Sequence, residues 1–224
     1  MKNILLLVVL FFSIQLSAQE RVYDQIGGFN EVKVYDLIEV NLIKSTENKV
    51  LVKGWNVDDI TVTNKRNTLR IRMKLDHKFQ GDHTVVEIHY THLDVVDGNE
   101  GSKIVFNEMV QQDNITLKVQ EGAKIMAGLD VKTVEVRAVT GGIVQASGLA
   151  TQQSIVLNTG GIFEGRELKT QAAKVKITAA GEAEVYSSKA VDINVKAGGN
   201  VYVYGDPQNV NKSVIAGGNI YMKD

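Results

Sequence analysis

The sequence predicts an all-β chain whose second half is a β-solenoid, and three observations carry that prediction. Apolar and polar residues alternate with period two over most of the chain, as in EVKVYD, KVLVKG, TLRIRMK and VVEIHY. Such alternation turns one side of each segment inward and the other to water. No window of a dozen residues carries a helical stripe. Glycine then recurs at a near-constant interval: Gly142, Gly161, Gly181, Gly199 and Gly218 stand 19, 20, 18 and 19 residues apart, a period that belongs to stacked repeats.

Composition narrows the classes. The 224 residues include 20 Gly, 1 Pro and no Cys, with 44% hydrophobic and 23% charged residues. That mix excludes a disordered chain, a disulfide scaffold and a thiolate metal site. With a single Pro, the glycines cannot belong to collagen or a Pro/Gly linker. A formal net charge of -1 gives no global pull toward nucleic acid, and no nucleic-acid partner is expected.

Residues 1–18 read as a secretory signal: Lys2, an apolar run from Ile4 to Phe12, and small residues Ser17 and Ala18 before the predicted cleavage. The apolar run falls short of the roughly 20 residues of a membrane-spanning helix. Removing residues 1–18, with Lys2 their one charged side chain, leaves 24 basic against 26 acidic residues. Without Cys there is no site for a lipoprotein-type acyl anchor, and no later segment is apolar enough to span a bilayer. The expected product is exported to the periplasm, the cell surface or the medium, with no transmembrane segment or lipid anchor.

Residues 19–110 keep the alternation without the period, which predicts an irregular β region that starts or caps the stack. The segment LDVVDGNEGSKIVF (93–106) reads as a degenerate coil joining it to the repetitive region, residues 111–224. No linker separates them, so one continuous body is expected. Alignment on the glycines, with Glu121 in the equivalent place one coil earlier, produces apolar columns. Four residues before the anchor stand Leu117, Ala138, Leu157, Ile177, Val195 and Val214; two after it stand Ala123, Val144, Phe163, Ala183, Val201 and Ile220. A β-sandwich with evenly spaced hairpins is the alternative; the regularity of the columns favours a stack in which equivalent side chains lie above one another. About six coils stacked at roughly 4.8 Å make a rod near 30 Å long. Gly-Gly pairs at 141–142, 160–161, 198–199 and 217–218 supply tight corners that need positive φ and close backbone approach.

The phrases AGGNVYVYGDPQNVNKSVIAGGNIYMKD (197–224), VTGGIVQASGL (139–149) and NTGGIFEGREL (158–168) resemble the family described as putative auto-transporter adhesin, head GIN domain. The aromatic strand running into Gly-x-Pro at Tyr202–Pro207 and the opening GFNEVKVYDLIEVNLIKSTENKVLVKG (28–54) are similar to it as well. The resemblance implies a β-solenoid-like fold and a surface or periplasmic location. It brings no catalytic residues.

The outward positions carry the candidate chemistry. Glu164 and Glu184 fall on adjacent coils, about 5 Å apart at the backbone, close to the carboxylate separation of retaining glycosidases; Arg166 stands near enough to neutralise either. A flat face lacks the cleft that would shift a pKa, so a solvated ladder is expected and no catalytic residue is assigned. Tyr186, Tyr202, Tyr204 and Tyr221 gather on the same outward face, where rings with hydroxyls suit sugar stacking or protein contact. With Glu164, Glu184 and Arg166 they are the candidate ligand-binding residues. All four histidines lie between 77 and 92. On VVEIHY, Glu87 and His89 share a face with His83 but spread too far along the strand for a compact metal site, so neither metal nor cofactor is expected. The acidic clusters Asp58-Asp59 and Asp94–Glu100 lack EF-hand spacing, and no phosphate-binding, dinucleotide-binding, hydrolase or zinc-protease motif is present.

The leading expectation is an exported non-enzymatic module binding a glycan, lipid or envelope protein on a flat outer face. Its alternatives are a carbohydrate-active enzyme using the Glu pair and a structural or self-assembling module, because open strand ends invite homo-oligomers.

Overall fold

The computed structural model describes residues 19–223; the predicted signal segment lies outside them. The head of the molecule contains β1 (Gln19–Tyr23), β2 (Glu31–Val34), β3 (Glu39–Lys44), β4 (Lys49–Gly54) and β5 (Ile60–Lys65). It continues with β6 (Thr68–Met73), β7 (Thr84–Tyr90), β8 (Val95–Gly98) and β9 (Lys103–Phe106). The regular stack follows through β10 (Val110–Val119), β11 (Lys124–Val139), β12 (Ile143–Asn158), β13 (Gly161–Gly165) and β14 (Leu168–Ile177). It ends with β15 (Gly181–Tyr186), β16 (Ala190–Ala197), β17 (Asn200–Tyr204), β18 (Asn209–Ala216) and β19 (Asn219–Met222).

These strands form a β-solenoid of about seven turns with coils about 19 residues apart. Each level sends one strand into a corner and a second strand out of it. The strands before the corners pair in parallel to make a leading face, and those after the corners make a trailing face. β11 and β12 are 16 residues long because each serves as the trailing strand of one level, bends, and becomes the leading strand of the next.

The head does not stack in chain order. β2 pairs in parallel with both β6 and β8, and β3 with both β7 and β9. The β2–β3 level is therefore held between the β6–β7 level and the β8–β9 level. Segment 93–106 does form a coil, and the loss of period before it reflects this reordering and the strands that end the stack. Beyond β6 the leading face finishes with antiparallel β5; beyond β7 the trailing face finishes with antiparallel β4 and then β1. Antiparallel closure removes the parallel edge at this end.

The corners are stacked β-turns. Residue pairs Asp36–Leu37, Glu100–Gly101, Glu121–Gly122, Thr140–Gly141 and Thr159–Gly160 all have φ between 49° and 76°. In four turns the N–H of the closing residue donates to the carbonyl three residues back: Ile38 to Tyr35, Ser102 to Asn99, Ala123 to Gln120 and Gly142 to Val139. This is type I′ geometry. The turns also bond to one another along the stack, with Gly101 N–H donating to Glu121 O, Gly122 to Thr140 O, Gly141 to Thr159 O and Gly160 to Ala180 O, at 2.9 to 3.3 Å.

The two glycines of a corner serve different ends. Gly160 has φ +76° and open space where a Cβ would sit, so it supplies conformation; a Cβ on Gly161 would lie 2.0 Å from the Ala138 carbonyl oxygen, so it supplies clearance.

The inward columns hold the core. Ala138, Leu157, Ile177, Val195 and Val214 stack in register, as do Val144, Phe163, Ala183, Val201 and Ile220. One register differs from the sequence alignment. Val119, not Leu117, lies on Ala138, and Ile125, not Ala123, lies on Val144. Glu121 is thus displaced by two residues, and Ala123 takes the place where later coils have glycine. A slip of two keeps every inward side chain inward, so the hydrophobic pattern cannot detect it.

At the far end the interior columns reach solvent. Val210, Val214 and Met222 continue buried columns yet are 39%, 45% and 43% exposed. Between the two valines, Lys212 occupies the column of Leu117, Val136, Ile155, Val175 and Ile193.

Two buried polar groups organise local geometry. Gln153 stands in an otherwise apolar inward column and donates to Thr170 Oγ1 at 3.1 Å and the Tyr186 carbonyl at 2.9 Å, tying the bend after the trailing face across levels. Asp36 is fully buried with Oδ2 accepting from the Met73 N–H at 3.1 Å. Its Oδ1 and Glu100 Oε2 are buried without another partner, and the two carboxyls meet across adjacent corners.

Two expectations follow from this packing. Gly161→Ala is expected to cost about 2 kcal/mol, lowering Tm by roughly 4–8 °C, whereas Gly160→Asn costs less than about 1 kcal/mol because Asn tolerates positive φ. Thermal melts of both variants check the division of labour, and equal losses would contradict it. The second concerns pH. Burial first, then the adjacent Asp36 charge, raises the Glu100 carboxyl above its ordinary value, with Lys78 opposing. A raised folded-state pKa means that the fold holds this proton more tightly than the unfolded chain does. That contribution is present below the unfolded value of about 4.3 and is lost as pH rises through the folded value. Asp36→Asn removes the opposing charge at a φ of 60° that Asn accepts. Melts across pH are expected to show the variant gaining on the wild type at neutral pH and the gain vanishing toward pH 4; a pH-independent difference would contradict the pairing.

Candidate functional site

The central outward column of the trailing face changes character along the rod. From head to tail it runs Glu87, Asn41, Val105, Met126, Gln145, Glu164, Glu184, Tyr202 and Tyr221, each paired in register with the next. Ile143 and Ile162 flank its middle, and Glu182 flanks its acidic stretch. The face is thus polar at the head, apolar at the centre, acidic beyond it and aromatic at the tail. Strand alternation places all these side chains outward because their neighbours fill the core columns.

The structure brings the four sequence-predicted tyrosines together. Tyr202 and Tyr221 stack with ring centroids 5.0 Å apart and planes 14° from parallel. Tyr186 and Tyr204 pair in register in the next outward column. The ring faces are partly occupied by cations: Arg166 lies 4.7 Å from the Tyr204 centroid, Lys169 4.3 Å from that of Tyr186, and Lys223 5.6 Å from those of both Tyr202 and Tyr221. Each such contact contributes on the order of 0.5–1 kcal/mol at an exposed site.

Glu164 and Glu184 are register neighbours as expected. Arg166 does not bridge them. It leaves the turn between β13 and β14, reaches tailward to Tyr204, and lies 3.9 Å from Glu167. Among the described residues neither Glu164 nor Glu184 forms an ion pair.

The face is not uniformly flat. A groove of about 600 Å³ opens beside the column, lined by Val105, Met126, Ile162, Glu164, Arg166 and Glu184. It exists because the adjoining outward column is small at Gly128 and Ser147, while Arg166 and the tyrosines rise at its tail end. That run of small residues was the available signal in the sequence. A second feature beyond the sequence reading is Trp55, which is 84% exposed with its ring 6.0 Å from that of His83.

The histidines are dispersed. His77 lies 3.4 Å from Asp59, His83 3.5 Å from Asp82, and His92 2.8 Å from Asp94, while Glu87 pairs with Lys53 at 2.8 Å. Among the described residues there is no group of three or more metal-ligating side chains and no helix long and apolar enough to cross a membrane.

The family described as "Putative auto-transporter adhesin, head GIN domain" matches residues 28–207. The structure is similar to that of a "putative adhesin" from Bacteroides fragilis NCTC 9343, with TM-score 0.84 and 18% identity over 93% of this chain and 98% of that one. A "putative adhesin" from Parabacteroides distasonis ATCC 8503 gives TM-score 0.76 and 19% identity over 92% and 97% of the two chains. A third, from Parabacteroides merdae ATCC 43184, gives 0.71 and 15% over 94% and 98%. At these identities the likeness is one of fold. No curated protein matches the sequence.

The aromatic end of the column offers a titration test. Burial first, then the charges of Glu182, Tyr221 and Glu184, raises the Tyr202 hydroxyl above its ordinary value. Glu182→Gln removes one of those charges, so Tyr202 is expected to ionise at lower pH. Ultraviolet titration, with Tyr202→Phe identifying its share of the signal, checks this; an unmoved transition would mean that the carboxylate does not act on the ring.

Proposed function

We propose, from the premise that this chain belongs to the putative auto-transporter adhesin, head GIN domain family, that it is an exported, non-enzymatic adhesion-type module of the bacterial envelope. Its ligand strip is the tail half of the trailing face, and the ligand class is a glycan. The observation that carries this reading is the continuity of groove, carboxylates and tyrosines on one rigid surface. The Ile162 and Met126 side chains offer apolar contact, Glu164 and Glu184 accept hydrogen bonds, and the tyrosines present ring edges and hydroxyls. Such a combination suits a sugar, which has apolar ring faces and a hydroxyl rim.

A hydrolytic role is less well supported. The Glu pair is open on one side, and Arg166, the cation that could have set the two carboxyls apart, is engaged with Tyr204. A second reading has its own observation: exposure of Val210, Val214 and Met222 at the tail favours self-association there.

A glycan and lipid array probed with residues 19–224 tests the main reading. Changing Tyr186, Tyr202, Tyr204 and Tyr221 to Ser is expected to weaken glycan capture roughly tenfold or more, at about 0.5–1.5 kcal/mol for each ring in contact. Unchanged capture would sink the strip. Turnover of a bound glycan that disappears in Glu164→Gln would replace it with the enzymatic alternative. Size-exclusion chromatography separates off the self-association reading, which a strict monomer removes.

A further inference from the structure

The leading face carries a different chemistry. Its central outward column contains five basic residues, Arg70, Lys33, Lys118, Arg137 and Lys176, on five of the seven successive levels from the head, with Asp97 the column's sole acid among the described residues. Lys33 is neutralised locally, at 3.1 Å from Asp97 and 3.2 Å from Glu31. Arg70, Lys118, Arg137 and Lys176 make no ion pair among the described residues. The flanking outward column runs Glu31, Val95, Thr116, Glu135, Ser154, Lys174 and Asp192 in register, so three acids and one further base lie beside the cations. Cations therefore prevail along one line of a protein whose overall charge is near zero.

We infer that this column is a binding track for a linear anionic polysaccharide, one carrying carboxylate or sulfate groups along a single chain. The inference does not rest on the trailing-face reading; it concerns the opposite surface and a different class of glycan.

The geometry selects this partner by charge and by spacing. Levels repeat at about 4.8 Å, a rise of the order of one sugar unit in an extended glycan, so anionic groups along an extended chain meet cations on the adjacent levels of Lys118 and Arg137 and again two levels on at Lys176. The track is one side chain wide. Duplex DNA presents a cylinder with one charge per about 1.7 Å of axis, which a single file of cations cannot neutralise. A single-stranded nucleic acid would need exposed rings for its bases. Among the described residues the one aromatic beside the column, Tyr35, has the Arg72 guanidinium 5.4 Å from its ring centroid. An anionic bilayer would use apolar side chains for insertion, and the column's single apolar member among the described residues, Val156, is half-buried between strands.

Calorimetric titration of residues 19–224 with polygalacturonate tests the track, with neutral dextran, duplex DNA and phosphatidylglycerol vesicles as parallel probes. The wild type is expected to bind polygalacturonate at low salt, to lose that binding at high salt, and to ignore dextran. The triple variant Lys118→Ser, Arg137→Ser, Lys176→Ser is expected to bind at least about tenfold more weakly. A control that also removes three charges, Lys103→Ser, Lys124→Ser, Lys132→Ser, is expected to bind like the wild type. Melting curves check that both triples are folded. Should the first melt early, Arg137→Gln alone, at an exposed position, gives a smaller drop in the same direction. Absence of polygalacturonate binding at low salt, equal weakening in the two triples, or equally tight binding of DNA or vesicles would each overturn the inference.

Discussion

The structure depends on one constraint: successive levels must turn the same corner at the same height. Five successive corners, from Asp36–Leu37 to Thr159–Gly160, place two residues in the left-handed region; the later ones close on glycines with φ of 148°, 114° and 124°, and along the stack each turn donates a backbone N–H to the next. Because the turns bond to one another, they fix the register of both faces at once. A leading strand cannot slide past its neighbour without breaking the corner ladder as well as its own hydrogen bonds. The glycine that follows the turn completes the constraint, since the carbonyl of the preceding level occupies the space of its missing side chain, as Ala138 does at Gly161. Outward columns are then straight lines, and whatever chemistry the sequence assigns to them is delivered at a constant spacing.

Much of this was legible in the sequence, and particular residues explain where it was not. From Ala138 to Ala216 the Gly corners mark absolute position, so alternation plus corner gives both face and level. One coil earlier Ala123 replaces the glycine, the marker is lost, and only parity remains, which permits the two-residue displacement of Glu121. In the head, alternation distinguishes inside from outside for β2, β3, β6 and β7 but does not say which strands adjoin. Their order is decided by pairings across tens of residues. On the trailing face, the outward placement of the tyrosines followed from parity. The reach of Arg166 to Tyr204, two levels away, depends on side-chain length and the direction of the β13–β14 turn, neither of which a column alignment contains.

Inward and outward chemistry are separated here by strand geometry. Inward columns are predominantly apolar on both faces, while the outward columns differ: a cationic file on one side, and an apolar, acidic and aromatic sequence on the other. Outward changes disturb the core little, so the two surfaces can diverge independently on a common frame. Lys212 shows the complementary rule at the tail. A charge placed in an interior column at an open strand edge discourages further strands from adding indiscriminately, although the valines beside it remain accessible.

The insertion of the β2–β3 level between two later ones has a consequence for time as well as space. A solenoid stacked in chain order can fold as it emerges, each coil settling on the one before. Here β2 and β3 have no parallel neighbour until residues 68–106 have arrived, and both of their sides are then closed by segments made after them. The head therefore folds through sequence-distant contacts, which are slow to form, whereas the remaining coils add by local steps. During delivery of the chain from its N-terminus, the early strands wait with open edges, and the first stable platform for the repeats is complete only once Phe106 is available. The order of levels thus concentrates the sequence-distant pairings in the head and leaves the sequence-local ones to the rod.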